Sequence, residues 1–199
     1  MAFKFLTSFI ATAVAALLTL TSCSAKSSGN KNSNSEKPEN TDAVVCYYSA
    51  TGNTAGAAKR LADLIGADLI EIEPEQVYTT ADLNWRDSTS RSSVEMHDPA
   101  SRPALKNPGA DLSKYRVVFI GYPNWWNTAP RIINSFIESV DLKNKVMVPF
   151  MTSGGSSIEQ SEKDLSAAYP SIKWGNGLLM NDVTDRQILD WASMVEAEL

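Results

Sequence analysis

The stretch Ser49-Ala50-Thr51-Gly52-Asn53-Thr54 joins an apolar run to an amphipathic one, and this junction restricts the fold more than any other part of the chain. Before it lies Val44-Val45-Cys46-Tyr47-Tyr48, continuous in apolar character, as a strand covered on both faces must be. After it Ala58, Leu61, Ala62 and Ile65 fall at offsets 0, 3, 4 and 7, one face of a helix. Strand, tight turn and helix in this order form one unit of a parallel α/β sheet. The first N–H groups of a helix have no intrahelical partner, and the helix dipole makes that end positive. Ser49, Thr51 and Thr54 add hydroxyls, and Gly52 permits close backbone approach. The junction therefore predicts a phosphate site. It holds no Lys, so it is not the loop that reaches nucleotide β- and γ-phosphates. No Gly-x-Gly-x-x-Gly follows any strand, so dinucleotide binding of the usual kind is unsupported. Neutral donors without a cation suit a terminal phosphomonoester.

The first 42 residues read as something other than the fold. Lys4 supplies a positive start, and Phe5 to Leu20 is mostly apolar but too short and interrupted for a stable membrane span. Residues 1–22 are predicted to be a secretory signal. Leu20-Thr21-Ser22-Cys23 resembles the bacterial lipobox, in which cleavage precedes the Cys and the Cys carries lipid. An ordinary cleavage site near Ala25 is the competing reading. Ser24 to Asp42 is polar and almost free of apolar side chains, so residues 23–42 read as a lipidated Cys and a disordered tether. Of the two cysteines, acylation of Cys23 would leave Cys46 without a disulfide partner, and a small buried hydrophobe is its expected role. The net charge is −5 with no basic stripe, which argues against nucleic acid as a partner.

Residues 43–199 then form one domain. Strands are predicted at Val44–Tyr48, Asp68–Ile72, Val117–Gly121, Val146–Met151 and Ile172–Leu179, and helices near 53–65, 130–140, 156–169 and 184–198. Pro130 suits a first helical position. Ser156-x-x-Glu159 and Thr184-x-x-Gln187 read as capping boxes. The connection from Glu73 to Tyr115 is polar and poorly periodic, with room for one or two short helices within Thr80–Met96. Its length marks it as a binding loop or lid. Pro149 is expected near the carboxyl end of its strand, where it would cost the ladder least.

In an open parallel sheet, ligands bind beyond the carboxyl ends of the strands. Two further loops at such ends carry unusual residues: Tyr122-Pro123-Asn124-Trp125-Trp126-Asn127-Thr128-Ala129-Pro130 and Thr152-Ser153-Gly154-Gly155-Ser156-Ser157. Adjacent tryptophans in a turn either pack inward or meet a flat ligand, and two neighbours cannot both do the latter in the same way. His97, the only histidine, has no Cys or His nearby, so no metal site is expected and a surface or hydrogen-bonded role is. No Gly-x-Ser-x-Gly elbow is present, which disfavours hydrolysis.

The segment Ser49–Thr54 resembles the phosphate loop of the flavodoxin family, Thr/Ser-x-Thr-Gly-Asn-Thr, at all five specified positions (Ser49, Thr51, Gly52, Asn53, Thr54). The resemblance implies an α/β, flavodoxin-like fold: a five-stranded parallel sheet, order 2-1-3-4-5, with helices on both faces. It implies FMN as cofactor, its phosphate held by Ser49, Ala50, Thr51, Gly52, Asn53 and Thr54. The ring would be contacted by Pro123, Asn124, Asn127 and Thr128 and flanked by Trp125 or Trp126. Thr152, Ser153, Gly154 and Gly155 would lie by the ribityl chain and pyrimidine edge. With the lipobox, the resemblance extends to flavodoxin-like bacterial lipoproteins. The expected function is electron transfer through bound flavin by an exported, membrane-anchored protein with an unidentified redox partner. The alternatives are an NAD(P)H-dependent flavin or quinone oxidoreductase and a flavin-free binding module.

Overall fold

A computed structural model describes residues 42–197, with the side chains of 196 and 197 excepted. The predicted signal, Cys23 and the tether lie outside the described residues. Every described element falls in this stretch: β1 Ala43–Tyr47, α1 Asn53–Ile65, β2 Asp68–Glu71, α2 Arg91–His97, β3 Val117–Pro123, α3 Arg131–Ser139, β4 Val146–Thr152, α4 Glu159–Ala168, β5 Lys173–Trp174, β6 Leu178–Leu179 and α5 Asp185–Ala197. The strands pair in parallel in the order β2-β1-β3-β4-β5, with β6 also on β4. This is the expected order.

Alternate side chains of each central strand enter separate cores. Val44, Cys46, Val118, Ile120 and Met147 pack with Ile132, Ile133, Phe136 and Ile137 of α3 and Leu165 of α4. Val45, Tyr47, Phe119, Val148 and Phe150 pack with Ala58, Leu61 and Ala62 of α1 and Ile188, Trp191 and Val195 of α5. Each large side chain buried here stabilises by about 1.5–3 kcal/mol, which is why the helical stripes hold their faces to the sheet. Cys46 is fully buried in the first core, and burial pushes its thiol pKa up, so it acts as a hydrophobe.

Three expectations need correction. The fifth strand is not continuous over Ile172–Leu179 but broken between Trp174 and Leu178. Pro149 sits in mid-strand, not near the carboxyl end. One cause links the two. Even-numbered residues of β4 bond to the β3 side: Val146 N–H donates to Arg116 O (2.9 Å), and Thr152 O accepts from Asn124 N–H (2.8 Å). Odd-numbered ones face outward: Met147 O accepts from Gly175 N–H (2.9 Å), and Met151 O from Met180 N–H (2.8 Å). Pro149 therefore turns its missing donor toward the fifth strand, where the ladder opens. Gly177 lies opposite, with Pro149 O 2.9 Å from where a Cβ would stand, and its N–H is taken by Glu162 Oε1.

The third correction concerns helix starts. Thr184 and Gln187 do form a reciprocal box: Thr184 N–H donates to Gln187 Oε1 (2.9 Å), and Gln187 N–H to Thr184 Oγ1 (3.3 Å). Ser156 forms none, because α4 begins at Glu159 after Ile158 and the Ser156 N–H goes to Ser153 Oγ (2.8 Å). Pro130 precedes α3 rather than opening it. Thr184→Ala is expected to lower unfolding free energy by about 1 kcal/mol in urea titration, and Ser156→Ala to leave helix stability unchanged.

The segment between β2 and β3 is pinched at its base. Pro74 and Leu105 form an antiparallel bridge, with Glu75 N–H to Ala104 O (2.8 Å) and Lys106 N–H to Glu73 O (2.9 Å). Between them lies one short helix, α2, capped by Ser90 Oγ on the Ser93 N–H.

Candidate functional site

The three predicted loops meet at the carboxyl ends of β1, β3 and β4, where the strand order reverses. The first loop ends in Gly52 at φ 91° and ψ −17°, a left-handed conformation that only glycine adopts at no steric cost. Ser49 Oγ accepts the Gly52 N–H (3.1 Å), closing the turn. Helix α1 makes its first bond from Gly56 N–H to Gly52 O (2.9 Å). No side chain caps α1, and no acidic residue stands in its first turn. Its N-terminal N–H groups and positive dipole end thus lack an internal anion. Thr51, Gly52 and Asn53 are exposed there. Thr54 is the exception: 1% exposed, it shares a hydroxyl–hydroxyl bond of 2.8 Å with Thr152 of β4. This bond fixes the first loop against the third. Ser49 and Ala50 also border a recess of about 90 Å³ with Tyr48, Val77 and Tyr78.

The second loop reverses on two residues. Trp125 and Thr128 exchange N–H···O bonds of 3.0 Å each way, and between them Trp126 (φ 48°) and Asn127 (φ 65°) are both left-handed, the pattern of a type I′ turn. This turn separates the tryptophans. Trp125 packs inward, edge-on to Tyr48 (5.8 Å between centroids, 87°) and Tyr78 (5.4 Å, 80°). Trp126 stands out, 39% exposed, with its ring 6.0 Å from that of His97. A tryptophan held at positive φ is strained, and the turn retains it on the surface. Pro123 ends β3 in register with Thr152. Under this loop Arg91 lies 3.9 Å over the Tyr78 ring and pairs with Glu95 (2.7 Å), which also accepts the Tyr78 hydroxyl. Burial and the Glu95 carboxylate push the Tyr78 pKa well up, so it stays a neutral donor.

The third loop is built from within. Ser153 Oγ accepts the N–H of Gly155 (3.2 Å) and Ser156 (2.8 Å). Asn181 clamps Ser153 by both backbone groups, accepting its N–H (2.9 Å) and donating to its O (2.8 Å). Asn181 gives no signal in the sequence, because its role arises only when β6 pairs beside β4.

A cavity of about 580 Å³ lies between the second and third loops. Of the residues predicted to contact a ligand, Asn124, Trp125, Trp126, Asn127, Ser153, Gly154 and Gly155 line it; Leu83, Trp85 and Ser92 join them from the long connection. The only advance sign of Trp85 is a large aromatic in a polar, aperiodic stretch. It is 61% exposed, with Arg86 stacked over it at 4.2 Å. Asn124 Oδ1 is buried in this wall without a hydrogen-bond partner, an acceptor set up for a donor the chain does not supply. Residues Ser49 to Thr54, Pro123, Thr128 and Thr152 stand beside the cavity rather than in its wall. His97 is exposed and donates from Nδ1 to Ser93 O (2.6 Å). No group of metal-ligating side chains occurs among the described residues.

An open parallel sheet with an uncapped helix N-terminus, an exposed aromatic turn and a cavity at its switch point defines a doubly wound α/β protein with a concave carboxyl edge. The family model for flavodoxin matches residues 42–195, and the chain belongs to the flavodoxin family. It is similar to the crystal structure of a candidate flavoprotein from Bacteroides uniformis ATCC 8492, at 48% identity and TM-score 0.74, covering 79% of this chain and 99% of that one. A second, from Bacteroides eggerthii DSM 20697, gives 50% identity and TM-score 0.76 over the same shares. A flavoprotein in complex with FMN from Lactobacillus acidophilus NCFM shares the fold at 17% identity and TM-score 0.60, over 76% of this chain and 99% of that one. No curated protein matches the chain.

Proposed function

We propose that this protein binds FMN at the carboxyl edge of its sheet and transfers electrons through it. The observation that carries the reading is the exposed Thr51–Asn53 turn on an uncapped, left-handed helix start. It offers a phosphomonoester several N–H and hydroxyl donors and a favourable dipole. The flavin, when bound, supplies the redox chemistry. The chain's own residues do the rest. Gly52 shapes the phosphate turn, and Thr54 and Thr152 hold it against the third loop. Trp126 gives a flat apolar face for a ring, and Asn124 Oδ1 accepts from a ring N–H. The FMN named for the Lactobacillus protein and the two Bacteroides relatives support this assignment.

We further infer that Cys23 carries a lipid and that residues 24–42 tether the domain to a membrane of the cell envelope. No helix among the described residues is long and apolar enough to cross a membrane; under this reading the anchor is the acyl chain on Cys23. Globomycin-sensitive processing, lost in Cys23→Ser, tests that assignment.

The flavin reading is tested by titrating FMN into protein lacking residues 1–22, with flavin fluorescence as signal. Stoichiometric quenching is expected; a folded protein that leaves the fluorescence unchanged rules it out. Comparing NADPH with dithionite as reductant then separates a carrier from an NAD(P)H-dependent flavin or quinone oxidoreductase. Trp126→Gly is expected to weaken FMN binding by about fivefold, from about 1 kcal/mol of lost stacking, while thermal stability holds or rises because glycine tolerates φ 48°. A parallel loss of stability would show Trp126 to be a packing residue.

A further inference from the structure

Of the chain's 5 tryptophans, Trp85, Trp125 and Trp126 line one cavity. Trp125 and Trp126 follow β3. Trp85 comes from the connection between β2 and β3, far earlier in the chain. Trp125 is taken up by the core through Tyr48 and Tyr78. Two rings from separate segments are left exposed in the wall, Trp126 at 39% and Trp85 at 61%. The third loop offers no ring, since its share of the wall is Ser153, Gly154, Gly155 and Ser156.

The backbone that carries Trp85 is hydrogen-bonded on both sides. Asn84 N–H donates to Ala81 O (3.2 Å) and Asp87 N–H to Asn84 O (2.9 Å), two consecutive reverse turns with Trp85 at the second position of the latter. Asn84 Oδ1 accepts the Arg86 N–H (3.3 Å). Asp82 O accepts the Ser92 N–H (3.0 Å), which joins these turns to α2. Helix α2 is tied to α3, where Arg131 Nη2 donates to Met96 O (3.2 Å). The Arg86 guanidinium lies 4.2 Å from the centroid of the Trp85 ring and covers one of its faces. A covered aromatic side chain buries about 150–250 Å². Turns that hold such a ring largely in water give up burial that a ligand beside it would supply.

Ser92 adds a polar group to the same wall. It is 2% exposed, and among the described residues its hydroxyl meets only Ser90 Oγ, at 3.5 Å, which is long for a hydroxyl–hydroxyl bond. Ser90 donates its own proton to Ser93 Oγ (2.9 Å). A hydroxyl this buried ordinarily has a good partner. Asn124 Oδ1, in the same wall, is also unpartnered. Two exposed rings and two open polar atoms suit a flat heteroaromatic ring with a hydrogen-bonding edge.

We propose that Trp85 and Ser92 make the long connection a binding wall: Trp85 covers the face of the ring that Trp126 does not, and the Ser92 hydroxyl bonds to its polar edge. This deepens the FMN reading and rests on it for the identity of the ring.

Protein lacking residues 1–22 is titrated with FMN and with lumiflavin, the same ring without the ribityl phosphate. Trp85→Ala should weaken the binding of both by about tenfold, and Ser92→Ala by about fivefold. Trp85→Phe, which keeps a ring, should retain most of the affinity. Because Trp85 is 61% exposed, its variants should unfold at the wild-type urea concentration. FMN bound alike by wild type and Trp85→Ala, or a loss that Trp85→Phe does not recover, overturns this inference and leaves the FMN reading standing. An unchanged Ser92→Ala overturns the hydroxyl's part. Folded wild-type protein that binds neither flavin overturns both readings.

Discussion

Gly52→Val is expected to cut FMN affinity at least 100-fold and leave the protein folded. A Cβ at Gly52 would meet nothing within 4 Å, so the loss does not come from a clash. It comes from the backbone. At φ 91° a β-branched residue is strongly disfavoured, at a cost of about 1–3 kcal/mol, and the turn relaxes toward negative φ. That rotation re-aims the N–H groups of Asn53 and Thr54, the donors an N-terminal anion uses. Hydrogen bonds to a charged group contribute about 1.5–3 kcal/mol each, so two misdirected donors give the stated fold-change. Because Thr51, Gly52 and Asn53 are exposed, the core registers little of this. Thr51→Ala, which removes one hydroxyl and keeps the turn, should lose only about tenfold. Fluorescence titration beside urea unfolding separates the effects; wild-type affinity in Gly52→Val would mean the phosphate is held elsewhere.

Gly121→Ala should have the largest effect on stability, about 3 kcal/mol or more. Gly121 lies in β3 in register with Phe150 of β4, and the Phe150 ring folds over it. A Cβ there would stand 2.1, 2.4 and 2.8 Å from three ring carbons. Phe150 is completely buried against α1 and α5, so the ring cannot swing into solvent. Overpacking of this kind forces off-rotamer side chains and backbone shifts. Phe150→Leu should restore part of the loss in the double variant, since the two sites share one space. If Gly121→Ala alone unfolds at the wild-type urea concentration, the ring is more mobile than its packing implies.

These two glycines show what the sequence could disclose. Gly52 was legible because its neighbours spell a local pattern: hydroxyls, a strand before and a helical stripe after. Helix α1 was readable to its ends for the same reason, and the strand order followed from the resemblance that the loop carried. Gly121 was not legible as a packing site, because its constraint is a ring in another strand. The same holds for Asn181 and Trp85, which reach the candidate site through pairings far along the chain. The break in the fifth strand had a visible sign in Pro149, but only the alternation of hydrogen bonds along β4 reveals which neighbour loses a donor. At Trp125-Trp126 the sequence left open which side chain enters the core, and two left-handed residues turn Trp125 inward and leave Trp126 exposed.

The carboxyl-edge cavity and the start of β1 lie at opposite ends of the strands, and β3 alone, with its seven residues, spans roughly 23 Å. Under the proposed FMN binding and tethering, the flavin would therefore stand at the end of the strands far from the tether. A carrier dissolved in the lipid would then be separated from the flavin by the length of the strands. Under the proposed tethering, electron exchange would favour proteins that approach from the water and meet the open carboxyl edge of the domain.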